Sequence, residues 1–398
     1  IVAKLVSLGP RQFFDVSADE LARRAARLEA GFTQGLYAAL AVVSDLPAAH
    51  ESLARYYRER HEDAEARGDL VSAEHDATQL RYHDRIGRHD RYLRGDGTLT
   101  LWTDPQNVQV EILEFAGDGR RLVARPLRLL GTTPLWKTPL PMGSYLLRLS
   151  CPGHATVDYP VHIGREQDWD GVRPGGSDEP LRIPLPRADA LSPGDCYVPA
   201  GWFSCGGDPA SPGGLPRRRV WLDGFVLRRD PVTHAEFAAF LDHLVATGQE
   251  DQALALAPRL GASPSSEAGE SLYGRDGAGR FVLDGGAAGV EVVADRPVVC
   301  VTWEAADAYA RWRGAEEGRA WRLPGELEWE KAARGVDGRF FPWGNHLDPT
   351  WCCMRDSHPS RPSMVSVGEF PVDESPYGVR GLAGNVRDWC ADPFRPQG

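Results

Sequence analysis

Six short motifs follow one another through the second half of the chain, and each combines an aromatic residue with a nearby proline, glycine or helix-capping residue. They lie at residues 195–203, 231–237, 297–303, 322–335, 341–345 and 381–389. Each motif is weak on its own, but their fixed order and spacing constrain this half of the chain as a whole. We therefore expect residues 193–398 to form one kind of domain.

Local signals within these motifs predict where helices begin and end. Thr233 and Glu236 have the spacing of a capping box, in which the threonine side chain accepts a hydrogen bond from a backbone N–H three residues on. That box would open an amphipathic helix, Thr302 would cap the next helix, and Gly335 would end a third. Two strands are also predicted, at residues 198–203 and 220–227.

Charge, hydropathy and cysteine spacing exclude some classes of function. The 398-residue chain carries a formal net charge of −11, whereas a nucleic-acid-binding surface needs an excess of lysine and arginine. No stretch approaches the roughly 20 apolar residues that cross a bilayer. The 7 cysteines lack disulfide-framework spacing, which favours buried thiols in a reducing, cytoplasmic compartment. A chain that begins at Ile1 without a signal peptide is expected to be an internal fragment.

The opening region, residues 1–94, is predicted to be helical, with breaks near Pro47 and Gly68. One helical face is predicted from four apolar residues at steps of seven, four and four: Leu21, Leu28, Phe32 and Leu36. Short helices joined in this way loosely resemble tetratricopeptide hairpins, although no clean repeat period is present. We therefore predict an array of helical hairpins.

The same region holds five histidines: His50, His61, His75, His83 and His89. A metal cluster is one interpretation, but no HExxH or comparable pairing occurs, and the neighbouring residues are arginine, aspartate and glutamate. We therefore predict that these are exposed helical histidines.

The hydropathy period changes to two at about Gly97, which predicts a β-domain over residues 95–166. Apolar and polar residues alternate there in three stretches, at residues 98–102, 108–112 and 145–149. Glycine, proline, aspartate and serine then cluster in residues 167–192, which predicts a linker. A second such stretch, residues 261–289, is predicted to be a surface insertion in the C-terminal domain.

In their order and spacing, the six motifs resemble the formylglycine-generating enzyme (sulfatase-modifying factor) family. The resemblance implies a fold related to C-type lectins, with little regular structure and many aromatic packing anchors. Six tryptophans fit that role: Trp303, Trp312, Trp321, Trp329, Trp343 and Trp389.

The β-domain has its own resemblance, to PEGA domains, which are small β-sandwiches. It is carried by residues 103–105, 131–135 and 143–154. Helices, sandwich and C-terminal domain follow one another as in the regulatory tail of large bacterial serine/threonine kinases. The expected fold class is therefore α+β multidomain.

The family resemblance also implies a calcium site on the turn at residues 381–389. Carried over by position, Gly384 and Val386 would provide carbonyl oxygens and Asp388 a carboxylate. Two residues depart from the family pattern. Gly381 stands where a side-chain oxygen is usual, and Asp388 is shorter than the usual glutamate. A second family calcium site is expected to be absent, because Cys353 stands at its asparagine position and thiols are poor calcium ligands.

Active members of the family use two cysteines near the C-terminus that bind copper(I) and activate oxygen. Cys390 lies ahead of that segment, so the resemblance assigns no catalytic residue and no cofactor-binding residue in this chain, and the fold is expected to be truncated. The adjacent Cys352 and Cys353 are predicted to pack in the core, because a vicinal disulfide is strained.

Two main hypotheses remain open at this level. The first is a non-catalytic sensing or interaction module that binds a protein or peptide. The second is an oxidase that converts a substrate cysteine in a sulfatase to formylglycine, with copper and with its active residues beyond the chain.

Two weaker possibilities belong to other classes, and a third activity is excluded. A calcium-dependent lectin is compatible with the fold. An iron-dependent sulfoxide synthase would need a three-histidine site that the N-terminal histidines do not show. Kinase activity is excluded for this chain, which has no glycine-rich nucleotide loop, His-Arg-Asp or Asp-Phe-Gly motif.

Overall fold

The computed structural model describes residues 10–393 except 209, 212–213, 262–268, 287–288 and 360–361, and it does not describe the side chains of residues 10–19 and 22. The chain divides into two compact units, Ile1–Asp96 and Gly97–Gly398. Helices come first and sheets follow, so the expected mixed α+β class is confirmed. In the described part of the chain, no helix is both long and apolar enough to cross a membrane.

Within residues 10–96, the first unit is made of helices α1 (Pro10–Val42), α2 (Pro47–Arg67), α3 (Leu70–His83) and α4 (Asp90–Arg94). Helices α2 and α3 are joined by a tight turn. Gly68 ends α2 in the left-handed region, at φ 72°, where glycine carries no steric penalty. Asp69 then caps α3 by accepting a 3.0 Å hydrogen bond from the backbone N–H of Ser72.

The predicted apolar face of α1 is largely exposed, with only Leu36 half-buried. Leu21, Leu28 and Phe32 are 65%, 67% and 47% exposed. Helix α1 contacts α2 through the C-terminal half of its length, where the Phe32 and Tyr56 ring centroids are 6.0 Å apart. Helical spacing therefore identified an apolar stripe but not whether another element covers it.

The prediction of exposed histidines is wrong for three of the five. His50, His61 and His83 are buried in the helical unit, at 4%, 3% and 2% exposure. The Nδ1 atoms of His50 and His83 lie 2.9 Å apart, and burial lowers the pKa of His83 to about 4. His61 Nδ1 lies 2.7 Å from the hydroxyl of Tyr92. These rings are packed polar pairs that a helical pattern alone does not reveal.

The second unit begins with two facing sheets. Their strands are β1 (Gly97–Asp104), β2 (Gln109–Asp118), β3 (Arg121–Thr132), β4 (Leu135–Leu140), β5 (Gly143–Ser150), β6 (Val157–Ile163), β7 (Asp168–Trp169) and β8 (Arg182–Pro184). One sheet has the antiparallel order β3-β2-β5-β6, and the other has the order β4-β1-β7 with β8 also paired to β1. Alternate residues of both sheets share one hydrophobic core, as a sandwich requires.

Part of the segment predicted as a linker belongs to this sandwich. Strands β7 and β8 lie within residues 167–192 and pair in parallel with β1. Trp169 and Ile183 are buried in the sandwich core. The glycine and proline clusters indicated turns correctly but could not reveal the short strands between them.

The sandwich and the C-terminal region share a core. Phe203, Cys205 and Val336 belong to the same cluster as the sandwich residues. The backbone N–H of Leu122 donates a 2.7 Å hydrogen bond to the carbonyl of Trp343. The exact domain boundaries and the PEGA and lectin assignments remain predictions.

The C-terminal region contains short strands and helices connected by long irregular segments. Its strands are β9 (Asp195–Val198), β10 (Gly201–Cys205), β11 (Arg218–Leu222), β12 (Phe225–Arg228), β13 (Arg259–Leu260), β14 (Glu270–Ser271), β15 (Gly274–Arg275) and β16 (Phe281–Val282). Its helices are α5 (His234–Ala246), α6 (Glu250–Leu256), α7 (Trp303–Glu317) and α8 (Glu326–Arg334), followed by a 3₁₀ turn, Arg355–Ser357.

Local chemistry sets the helix boundaries as predicted. Thr233 and Glu236 form both hydrogen bonds of the capping box at the start of α5. Thr302 accepts from the backbone N–H of Ala305 at 3.2 Å and caps α7. Gly335 is the residue at which α8 ends.

The surface-insertion interpretation of residues 261–289 is wrong where the structure describes them. Leu272, Tyr273 and Phe281 are buried beside α5 and α7. The hydroxyl of Tyr273 lies 2.7 Å from Nδ1 of the buried His234, whose pKa burial lowers to about 4. Residues 262–268 and 287–288 lie outside the described part.

Candidate functional site

One asparagine makes three of the hydrogen bonds that hold the turn predicted as the ion site. Asn385 adopts a left-handed backbone, at φ 68°. Its side-chain amide makes two hydrogen bonds to Val365, accepting from the N–H at 3.0 Å and donating to the carbonyl at 2.9 Å. Its own backbone N–H donates to the carbonyl of Cys353 at 2.7 Å. The side chain and the backbone of Asn385 together thereby join three segments that are distant in sequence.

Gly384 lies against the same carbonyl. A Cβ atom placed on Gly384 would come closer than 3.0 Å to the carbonyl oxygen of Cys353, nearer than real Cβ atoms approach. The glycine is therefore required here for close backbone approach. Its role in the turn is steric, whether or not its carbonyl binds an ion.

The predicted calcium ligands Gly384, Val386 and Asp388 all lie on this turn, but two of them already have hydrogen-bond partners. The carbonyl of Gly384 accepts from the backbone N–H of Val386 at 2.8 Å. The exposed carboxylate of Asp388 accepts from the indole of Trp329 at 2.9 Å.

Calcium takes six to eight oxygens, and these residues would supply about three. Within the described residues, no three His, Cys, Asp or Glu side chains gather as a metal site. Calcium at these three residues remains a prediction.

Two tryptophans attach the end of the motif to the start of α7. Trp303 donates its indole N–H to the carbonyl of Cys390 at 2.9 Å. Trp389 donates to the carbonyl of Val301 at 3.1 Å and is 49% exposed. Trp389 therefore holds the turn in place by a hydrogen bond rather than by burial, whereas Trp343 is buried as predicted.

The cysteines are free thiols, and several of them are in environments that oppose ionisation. Cys352 and Cys353 are buried, in agreement with a packing role, and the thiol of Cys353 donates to the carbonyl of Ser363 at 3.4 Å. Burial raises the pKa of Cys352 and of Cys390 to about 11. The thiolate is the nucleophile and the metal ligand, so these groups are poorly prepared for either role.

A buried carboxylate that the sequence did not single out lies beneath the turn. Asp373 is 2% exposed, and its Oδ2 accepts from the backbone N–H of Ala383 at 3.1 Å. Its other oxygen, Oδ1, has no hydrogen-bond partner. Burial raises the pKa of Asp373 to about 6. Its position just after a proline-containing segment gave no signal of burial.

A buried lysine was also missed. Lys331 on α8 is 1% exposed, and its Nζ donates to the carbonyls of Pro199 and Gly201 at 2.8 and 3.1 Å. Burial lowers its pKa to about 7. The two alanines that follow it are buried on the same helix, which is the one sequence signal that could have indicated a covered face.

The turn at Gly384 and Asn385 and the tryptophans that attach irregular segments to it all lie in the second half of the chain. The model of the sulfatase-modifying factor enzyme 1-like domain matches residues 184–398. This chain belongs to that family.

Similar proteins differ in function. A formylglycine-generating enzyme of Streptomyces coelicolor is 33% identical over 249 residues, which is 56% of this chain and 75% of that protein. A hercynine oxygenase of Mycolicibacterium smegmatis is 35% identical over 228 residues, 54% of this chain and 49% of that protein. The serine/threonine-protein kinase Pkn1 of Chlamydia trachomatis is 32% identical over 205 residues, 49% of this chain and 27% of that protein.

Proposed function

We propose that this chain is a non-catalytic sensing or protein-interaction region of a bacterial signalling protein, such as a serine/threonine kinase. It would bind a protein or peptide partner, and its free thiols favour a reducing, cytoplasmic compartment. One domain family is shared by an oxidising enzyme, an oxygenase and a kinase, so membership of the family does not by itself carry an activity.

The observation that carries the proposal is the state of the thiols. Burial raises the pKa of five of them: Cys196, Cys300, Cys352, Cys353 and Cys390. Copper(I) chemistry of the kind expected for active relatives needs soft thiolate ligands. Groups held as neutral thiols at pH 7 do not favour that chemistry.

The kinase setting rests on a different observation. The similarity to Pkn1 covers only 27% of that kinase, so the matching region accompanies other segments there. A domain carried beside other segments, with no activated thiol of its own, suits recognition better than turnover. The net charge of −11 favours a partner other than nucleic acid.

The alternative is an oxidase that converts a substrate cysteine in a sulfatase to formylglycine, uses copper and would have its catalytic cysteines outside this chain. The extent of the match to the Streptomyces enzyme, 75% of that protein, favours it. The two functions make opposite predictions for one assay.

We expect no copper-dependent conversion of a sulfatase peptide cysteine to formylglycine by the full-length protein, because the proposed role requires no thiolate pair to hold the metal. The assay incubates the full-length protein with copper, reductant, oxygen and the peptide, and measures the aldehyde by mass spectrometry. The Streptomyces enzyme serves as the positive control. Aldehyde formed above background by the full-length protein would contradict the proposal and favour the oxidase.

A further inference from the structure

A small cavity beneath the 381–389 turn contains two carboxylate oxygens that lack partners. Its volume is about 20 Å³, and both Asp230 and Asp373 line it. Oδ1 of Asp373 and Oδ1 of Asp230 are buried and make no hydrogen bond. A space of this size admits one water molecule or one small ion.

Main-chain hydrogen bonds hold the two carboxylates on the same short segment. The N–H of Arg380 donates to the carbonyl of Arg229 at 2.7 Å, which places the adjacent Asp230 beside residue 380. The N–H of the next residue, Gly381, donates to the carbonyl of Asp373 at 3.2 Å. The two acidic residues are therefore brought together by backbone that does not depend on their side chains.

The charges around the cavity are unbalanced. Three carboxylates line it, from the buried Asp373, the half-buried Asp230 and the exposed Glu369, against one guanidinium, from Arg380. That guanidinium donates to Glu374 at 2.6 Å, so its charge is shared with a carboxylate outside the cavity. Asp373, at 2% exposure, has no cation of its own among the described hydrogen bonds and ion pairs. Buried carboxylates of this kind are costly unless a positive charge compensates them.

We propose that this cavity binds one divalent cation of the calcium class, with the free oxygens of Asp230 and Asp373 as its two carboxylate ligands. Because no three acidic, histidine or cysteine side chains converge among the described residues, backbone carbonyls and water would complete the shell. This site is distinct from the one predicted at Gly384, Val386 and Asp388. The cation would join residue 230, after strand β12, to the segment that supports the turn.

Calcium titration of the EDTA-treated chain tests the proposal. We expect calcium to raise the Tm of the wild type by about 5 °C at a hundredfold excess over Kd. Asp373→Asn and Asp230→Asn should lose most of that increment. Asp178→Asn should keep it, because that exposed aspartate does not line the cavity. Calorimetric titration should show one bound ion fewer per chain in Asp373→Asn than in the wild type.

Three results would overturn the proposal. One is the absence of any calcium-dependent change in the wild type, which would assign the cavity to a water molecule. The others are an increment that survives both cavity substitutions and an increment that is lost in Asp388→Asn alone, which would place the ion on the turn. Asp373→Asn retains an acceptor for the backbone N–H of Ala383, and circular dichroism in EDTA checks that this variant is folded. If it is unfolded, the calcium response of Asp230→Asn tests the proposal instead.

Discussion

Gly384→Ala is expected to destabilise the second unit by about 4 kcal/mol or more, enough to reduce the yield of folded protein. The added Cβ would collide with the carbonyl oxygen of Cys353, which is backbone and cannot rotate away. That carbonyl also accepts the 2.7 Å hydrogen bond from Asn385, so moving it would break the clamp around the turn. The steric collision and the loss of the Asn385–Cys353 hydrogen bond therefore both destabilise the folded state.

Urea denaturation followed by tryptophan fluorescence measures this loss, with Gly117→Ala as the matched control. Gly117 lies in strand β2, has no atom within 4 Å of an added Cβ and does not need a left-handed backbone. The control should change stability by less than about 1 kcal/mol. Equal losses in the two variants would mean that the approach of Gly384 to Cys353 does not stabilise the fold.

Helix boundaries could be predicted because their hydrogen bonds are local. Thr233 and Glu236 are three residues apart, so both hydrogen bonds of the capping box form within the first turn of α5. Gly335 ends α8 for a similarly local reason, since its φ of 70° is one that glycine readily adopts. None of these features depends on the rest of the chain, so sequence spacing is sufficient to find them.

Burial could not be predicted from the same patterns because it depends on what lies opposite. Leu28 has helical spacing within its apolar stripe and is 67% exposed, whereas His83, in a polar setting, is 2% exposed. The difference comes from the partner element: His83 meets His50 across the packed α2–α3 hairpin. Periodicity defines a face of a helix, but only tertiary packing decides which face is covered.

At the candidate site, the sequence indicated the position of the turn but not the distant contacts that hold it. The family motif located the turn at Gly384 and Asn385 correctly, because glycine and asparagine have distinctive backbone behaviour. The clamp itself joins Asn385 to Val365, and the carboxylate beneath it comes from Asp373. Neither contact leaves a signal in a short window of sequence, so the structure was needed to find the residues that support the turn.

Lys331→Ala is expected to destabilise the second unit by about 4 kcal/mol at pH 9. The substitution leaves a cavity in a site that is 1% exposed, and it removes the donor that the carbonyls of Pro199 and Gly201 share. Lys331→Met keeps most of the volume and removes only the donor. The methionine variant should therefore lose about 1–3 kcal/mol, which separates the packing contribution from the polar one.

The free energy of unfolding lost in Lys331→Ala should also depend on pH, in the direction set by the burial of the Lys331 amine. The folded pKa of Lys331 is lowered from 10.5 to about 7, so between these values the unfolded chain binds the extra proton. Stability contributed by the lysine is fully present above pH 10.5 and is lost as the pH falls towards 7. The free-energy difference between wild type and Lys331→Ala should accordingly widen from pH 7 to pH 10, by at most about 1.4 kcal/mol per pH unit.

Denaturation of both proteins at several pH values measures that difference, and groups common to the two cancel in the comparison. A difference that stays constant from pH 7 to pH 10 would mean that Lys331 keeps its proton in the folded protein. In that case the two carbonyls would compensate the buried charge in full, and α8 would be attached to strand β10 by an ammonium group rather than by a neutral amine.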